Sequence, residues 1–81
     1  MTRDEAREAI LRALTDVAPE IDTTTLVPDT DLRDQLDIDS MDLLNFVIGI
    51  HEHAHVDIPE ADYPQLQSLD SIVEYVVARA P

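Results

Sequence analysis

Apolar positions at Ala6, Ile10, Leu14 and Val17 recur at intervals of 4, 4 and 3, the spacing that lines one face of an α-helix. Thr2 followed three residues later by Glu5 reads as a capping box at its start, and Pro19 sets its end. From Glu20 to Ile38 the periodicity lapses. Thr23, Thr24, Thr25, Pro28, Asp29, Thr30 and Asp31 are turn formers, while Leu26, Leu32 and Leu36 remain as apolar anchors. So long a loop is expected where it crosses a helical bundle and lets two helices run side by side.

Asp39, with Asp42 three residues on, predicts the cap of a second long helix running from Ser40 to about His55. At 100° per residue Asp42, Asn45, Gly49 and His53 form a polar stripe on it. The rest of its circumference is apolar and serves two surfaces. Phe46, Val47, Ile50 and Ala54 suit a core. Met41, Leu44 and Ile48 form a second run beside Ser40, which periodicity alone also assigns to core. Pro59 and Pro64 bracket a short helix with Glu60 and Asp62 outward. Ser68 caps a last helix whose Leu69, Ile72, Val73, Val76 and Val77 follow the i, i+3, i+4, i+7, i+8 rule. The expectation is an all-α fold of three main helices plus a short one, in a single domain over residues 1–81.

Composition limits what such a fold can do. A chain of 81 residues buries roughly 60–65% of its unfolded surface, so a large enclosed active site is not expected. Eighteen acidic residues against five arginines and no lysine give a net charge of −13. That charge repels nucleic acid and anionic lipid, and it points to basic partner surfaces and a monomer. The absence of cysteine excludes disulfides, thiol nucleophiles and thiolate zinc sites, and suits a reducing cytosol. The charged N-terminus and the Asn45 that interrupts the apolar stretch Leu43 to Ile50 leave secretion and membrane spanning unsupported; the expected location is cytoplasmic.

The acids are not evenly spread. Six aspartates (29, 31, 34, 37, 39 and 42) surround Ser40 with one cation among them, Arg33. Ser40 lacks a G-x-S-x-G setting, and carboxylates oppose a developing oxyanion, so self-catalysis is not expected. An exposed hydroxyl at a helix start, flanked by acids, suits modification by a basic enzyme that brings its own base and divalent cation. The stretch Leu36-Asp37-Ile38-Asp39-Ser40-Met41-Asp42 resembles the D-S-L attachment motif of acyl carrier proteins. The similarity continues through Asp57-Ile58-Pro59-Glu60 and through Ser68 to Val76.

This resemblance implies a four-helix bundle with a long first loop and a serine at the start of its second main helix. It implies that Ser40 receives 4′-phosphopantetheine from coenzyme A through a phosphopantetheinyl transferase, with Asp39 assisting by positioning the transferase's magnesium and basic side chains. The chain would be a carrier, not an enzyme, serving an acyl-activating ligase or synthase. Met41, Leu44 and Ile48 would then form a partner-docking patch, with Asp42, Asn45, His51 and Glu52 around it, which reverses their assignment to core. Phe46, Val47 and Ile50 would line an interior that shelters the acyl chain. Asn45 and His51 stand where carriers of bacterial fatty-acid synthesis usually present glutamates, Asp37 replaces a usual glycine, Met41 a usual leucine, and Pro64 is expected to shorten the short helix. These departures point to a specialised carrier. Fatty acyl, polyketide and aminoacyl cargo share the attachment chemistry.

Two other readings come from the residues themselves. His51-Glu52-His53-Ala54-His55 matches H-E-x-x-H, which on a helix places His51 and His55 on one face as metal ligands with Glu52 as base. No further histidine completes such a site, and histidines solvated near a helix C-terminus are the preferred reading. The remaining alternative is an acidic helical adaptor or inhibitor that binds basic proteins without modification.

Overall fold

The computed structural model describes residues 1–80. Helix α1 (Arg3–Val17) opens with the expected box: Thr2 Oγ1 accepts the Glu5 N–H at 3.1 Å, and Glu5 Oε1 accepts the Thr2 N–H at 3.0 Å. These bonds hold the Glu5 carboxyl below its ordinary pKa. Helix α2 (Leu32–Gln35) is a single turn inside the long loop, α3 (Ser40–Ala54) is the second long helix, and α4 (Leu69–Arg79) the last. Two 3₁₀ segments, Thr23–Thr25 and Glu60–Gln65, complete the all-α chain.

The loop is packed, as its anchors predict. Leu26 and Leu32 are buried and Leu36 packs against the core. The turn of α2 has no periodicity to announce it. It exists because Asp31 caps it, its side chain accepting the Arg33 N–H at 2.8 Å. The Gln35 amide then staples the loop, accepting the Val27 N–H at 2.7 Å and donating to the carbonyls of Val27 and Thr30 at 2.9 Å. Backbone bonds from Leu32 N–H to the Gln67 carbonyl and from Asp70 N–H to the Pro28 carbonyl tie the loop to the start of α4. The loop thereby crosses the bundle and leaves α1 and α3 to pack directly.

Where α1 meets α3, Gly49 faces Ala13. A Cβ added at Gly49 would stand 2.9 Å from the Ala13 Cβ. The polar stripe expected through Gly49 is therefore corrected. Gly49 is buried because the two backbones approach closely there, and only a hydrogen fits between them. Gly49→Ala is expected to destabilise by about 1 kcal/mol, since overpacking costs roughly 1–3 kcal/mol and the better helix propensity of Ala returns about 1. Urea denaturation checks this, and a stabilised variant would contradict the close approach.

The short segment also differs from expectation. Pro64 lies inside Glu60–Gln65 rather than bounding it, and Asp62 points inward. Asp62 Oδ2 accepts the Tyr75 hydroxyl at 2.6 Å, and the Arg79 guanidinium lies 3.8 Å from the same oxygen and 3.8 Å above the Tyr75 ring. Tyr75 is thus buried on a helix whose apolar rule had omitted it, while Val77 is only partly buried. Burial first, and then donation to the Asp62 carboxylate, raise the Tyr75 phenol above its ordinary pKa of 10.0, with Arg79 opposing. Because the folded value is the higher one, this contribution is complete below the ordinary tyrosine range and is lost as pH climbs through the raised value. Tyr75→Phe is expected to cost about 1–2 kcal/mol at neutral pH and to lose that alkaline step, read by thermal unfolding across pH 8 to 11.

Candidate functional site at the start of the third helix

Leu36 and Ile38, both half-buried, pin an extended strap that delivers the chain to α3. Asp39 is extended, at φ −91° and ψ −177°, and its Oδ1 accepts the Asp42 N–H at 2.9 Å while Asp42 Oδ2 accepts the Asp39 N–H at 3.5 Å. The expected cap is thus a reciprocal box made by two aspartates. Its consequence falls on Ser40, the first residue of α3. Ser40 is exposed, the cap is made without it, and its hydroxyl has no hydrogen-bond partner among the described residues.

The other two serines differ. Ser68 Oγ accepts the Ser71 N–H at 3.1 Å, and Ser71 Oγ both accepts the Ser68 N–H and donates to the Ser68 carbonyl at 3.0 Å.

No histidine reaches Ser40 along its own helix. His51 stands eleven residues on, roughly 16 Å at 1.5 Å per residue. The chain on either side of the serine is mostly negative: Asp34, Asp37 and Asp39 are exposed, and Asp31 and Asp42 half-exposed, with Arg33 the one exposed cation in the stretch. The hydroxyl is accessible, unengaged and without an adjacent imidazole, so a base must come from elsewhere.

Met41, Leu44 and Ile48, which periodicity assigns to core, are exposed by 64%, 45% and 47%. Their run forms an open apolar strip leading away from Ser40, with Asn45, His51 and Glu52 exposed and Asp42 half-buried. Phe46, Val47 and Ile50 lie instead on the inward side, in one buried cluster with α1 and α4.

The H-E-x-x-H stretch does not form the helical pair its spacing describes. His55 lies beyond the end of α3 in a left-handed conformation, φ 58° and ψ 37°, capping the helix through its N–H to the His51 carbonyl. His51 Nδ1 is 2.9 Å from Asp57 Oδ1, and His53 Nε2 is 2.9 Å from Asp16 Oδ2 on α1. All three histidines are exposed at or just past the end of α3, as expected, and two of them also face a carboxylate. Among the described residues no group of three or more His, Asp or Glu is placed to hold a metal ion.

Residues 8–76 match the family model described as "Phosphopantetheine attachment site". The chain belongs to this family. It is similar to the acyl carrier protein of Rubrobacter xylanophilus, 26% identical over 74 residues covering 88% of this chain and 91% of the relative. It is also similar to the acyl carrier protein of Myxococcus xanthus, at 27% over 88% of this chain and 94% of that one. A mitochondrial acyl carrier protein of Neurospora crassa is 27% identical over 98% of this chain and 59% of its own. The prosthetic group is 4′-phosphopantetheine, and the role that goes with it is that of an acyl carrier. The free hydroxyl of Ser40 fits that group, needing no cap to be broken before it is modified. The adaptor that binds without modification is not supported.

Sequence reasoning missed the Gln35 staple, the Gly49–Ala13 contact and the Asp62–Tyr75 bond. Only Gly49 carried a signal, being the single glycine of the chain and placed mid-helix, where glycine is costly unless something needs its smallness.

Proposed function

We propose that Ser40 is the attachment residue and that the chain, a single carrier domain and not a catalyst, presents acyl groups to an activating ligase or synthase. The observation that supports this is the exposed, unengaged Ser40 hydroxyl at the first position of α3, in a helix start capped wholly by Asp39 and Asp42. Ser40 Oγ forms the phosphodiester bond as coenzyme A parts with its adenosine bisphosphate portion, and its proton passes to a base on the transferase. When attached, the arm supplies a terminal thiol that holds cargo as a thioester. Asp39 and its neighbouring aspartates draw the basic transferase and its magnesium toward the serine.

Met41, Leu44 and Ile48 dock the partner enzymes, with Asp42 and Glu52 giving charge and Asn45 and His51 setting this carrier apart from more acidic ones. No helix among the described residues is long and apolar enough to cross a membrane, and a cytoplasmic location is proposed on that basis together with the absence of cysteine. The test is intact mass after incubation with coenzyme A, magnesium and a promiscuous phosphopantetheinyl transferase. A gain of one phosphopantetheine that maps to the peptide containing Ser40 is expected, and no gain would overturn the proposal.

A further inference from the structure

Of the large apolar side chains open to solvent among the described residues, Met41 is the most exposed, ahead of Val27 at 48% and Met1 at 43%. It is the second residue of α3, directly after Ser40, and it heads the apolar strip, with Leu44 the next member three residues on. Met41 differs in chemistry from the rest of that strip. Leu44 and Ile48 are hydrocarbons, while the Met41 thioether is a polarizable nucleophile. The chain has no cysteine and no tryptophan, and its two methionines are its only sulfur atoms. Before the arm is attached, no thiol competes for an oxidant.

Nothing in the fold shields this sulfur. The side chain stands outside the buried cluster to which Phe46, Val47 and Ile50 belong. Asp37, Asp39 and Asp42, its neighbours in sequence, repel anionic oxidants, but hydrogen peroxide is uncharged and reaches the surface past them. The reaction balances within the pair. The sulfur lone pair attacks one peroxide oxygen, the O–O bond breaks as the S–O bond forms, and water leaves. The thioether is oxidised by two electrons to a sulfoxide, and the peroxide is reduced.

From this position and chemistry we infer that Met41 is a reversible oxidation site that controls docking. The inference rests on the reading of Met41, Leu44 and Ile48 as the partner-docking patch. A pocket that receives a flexible thioether is apolar, and a sulfoxide carries into it an oxygen whose hydrogen bonds to water are stripped on contact. The fold is not at stake, because an exposed side chain in the first turn of α3 contributes little to the packing of the bundle. Oxidation by a peroxide thus takes the carrier away from its partners without unfolding it, and a methionine sulfoxide reductase returns it. A leucine at this position offers no such site.

The test uses the unmodified full chain, treated with hydrogen peroxide, freed of the peroxide, and then offered coenzyme A, magnesium and a promiscuous phosphopantetheinyl transferase. Peptide masses locate each added oxygen, and initial rates at low carrier concentration give kcat/KM. The expected result is an oxygen on Met41, a roughly tenfold fall in kcat/KM from the desolvated sulfoxide oxygen, and unchanged helical circular dichroism. The rate should recover after treatment with both sulfoxide reductases, one for each epimer. In Met41→Leu the same treatment leaves Met1 as the only methionine to oxidise, and treated and untreated samples of that variant are expected to react at equal rates. The inference is overturned if peroxide spares Met41, or if the chain oxidised there reacts at the untreated rate. It is equally overturned if treated Met41→Leu slows as much as the treated wild type, if the rate stays low once the oxygen has been removed, or if circular dichroism is lost along with the rate. Failure of the untreated chain to gain phosphopantetheine is a separate outcome, which overturns the carrier reading and this inference with it.

Discussion

Ser40→Ala is expected to gain no phosphopantetheine under conditions where the wild-type chain is fully converted, while its helical circular dichroism and unfolding midpoint stay nearly unchanged. The second half of that outcome gives the first its meaning. A serine that caps a helix costs about 1 kcal/mol when replaced by alanine. Ser40 does not cap; Asp39 does, through its bond to the Asp42 N–H. Alanine at the first helical position satisfies the same backbone and forms helix well, so the change in stability should stay within about 0.5 kcal/mol. A loss of modification in Ser40→Ala therefore reports the missing hydroxyl and not a melted site. The internal controls are Ser68 and Ser71, whose hydroxyls are engaged with one another's backbone at the start of α4. Should Ser40→Ala still gain the mass, one of those would have to be freed by local unfolding, and the assignment of the site to α3 would fail.

The site and most of the fold could be read in the residues because their signals are local. A capping box needs a carboxylate or hydroxyl and a partner three residues away, and Thr2 with Glu5, Asp39 with Asp42, and Ser68 with Ser71 all lie within that reach. What the residues concealed depends on contacts far apart in sequence. Gly49 sits in a run that alternates between two faces, and a helical wheel gives its angle but not the neighbour at that angle; Ala13 is what makes the position buried. Asp62 follows a proline in a charged segment and reads as solvated. Its oxygen is turned inward by a phenol thirteen residues on. Met41, Leu44 and Ile48 show the opposite failure. Their spacing is that of core residues, and periodicity has no means of telling a face packed on the protein from a face left open for a partner.

That ambiguity can be resolved by experiment on α3 alone, where Phe46→Ala is expected to be among the most damaging single changes in the chain. Phe46 is the one phenylalanine, 2% exposed, in a cluster otherwise built from aliphatic side chains and Tyr75. Truncating a buried phenylalanine costs about 3–5 kcal/mol, combining lost transfer energy with the cavity left behind. A domain of this size has about 4–12 kcal/mol in total at 0.05–0.15 kcal/mol per residue, so the variant should unfold at much lower urea and lose a substantial folded fraction on warming. Ile48→Ala, two residues along the same helix, removes a side chain that is 47% exposed. Its cost should stay near 1 kcal/mol or below. The two variants should exchange rank when the rate of phosphopantetheine transfer is measured below the unfolding temperature of both. There Ile48→Ala weakens capture by the partner enzyme while Phe46→Ala, still folded, changes it less. Equal destabilisation by the two substitutions would mean that Ile48 belongs to the core after all and that α3 has a single buried face. The expected divergence is what a helix must show if one side holds the bundle together and the other is left apolar for a visiting enzyme.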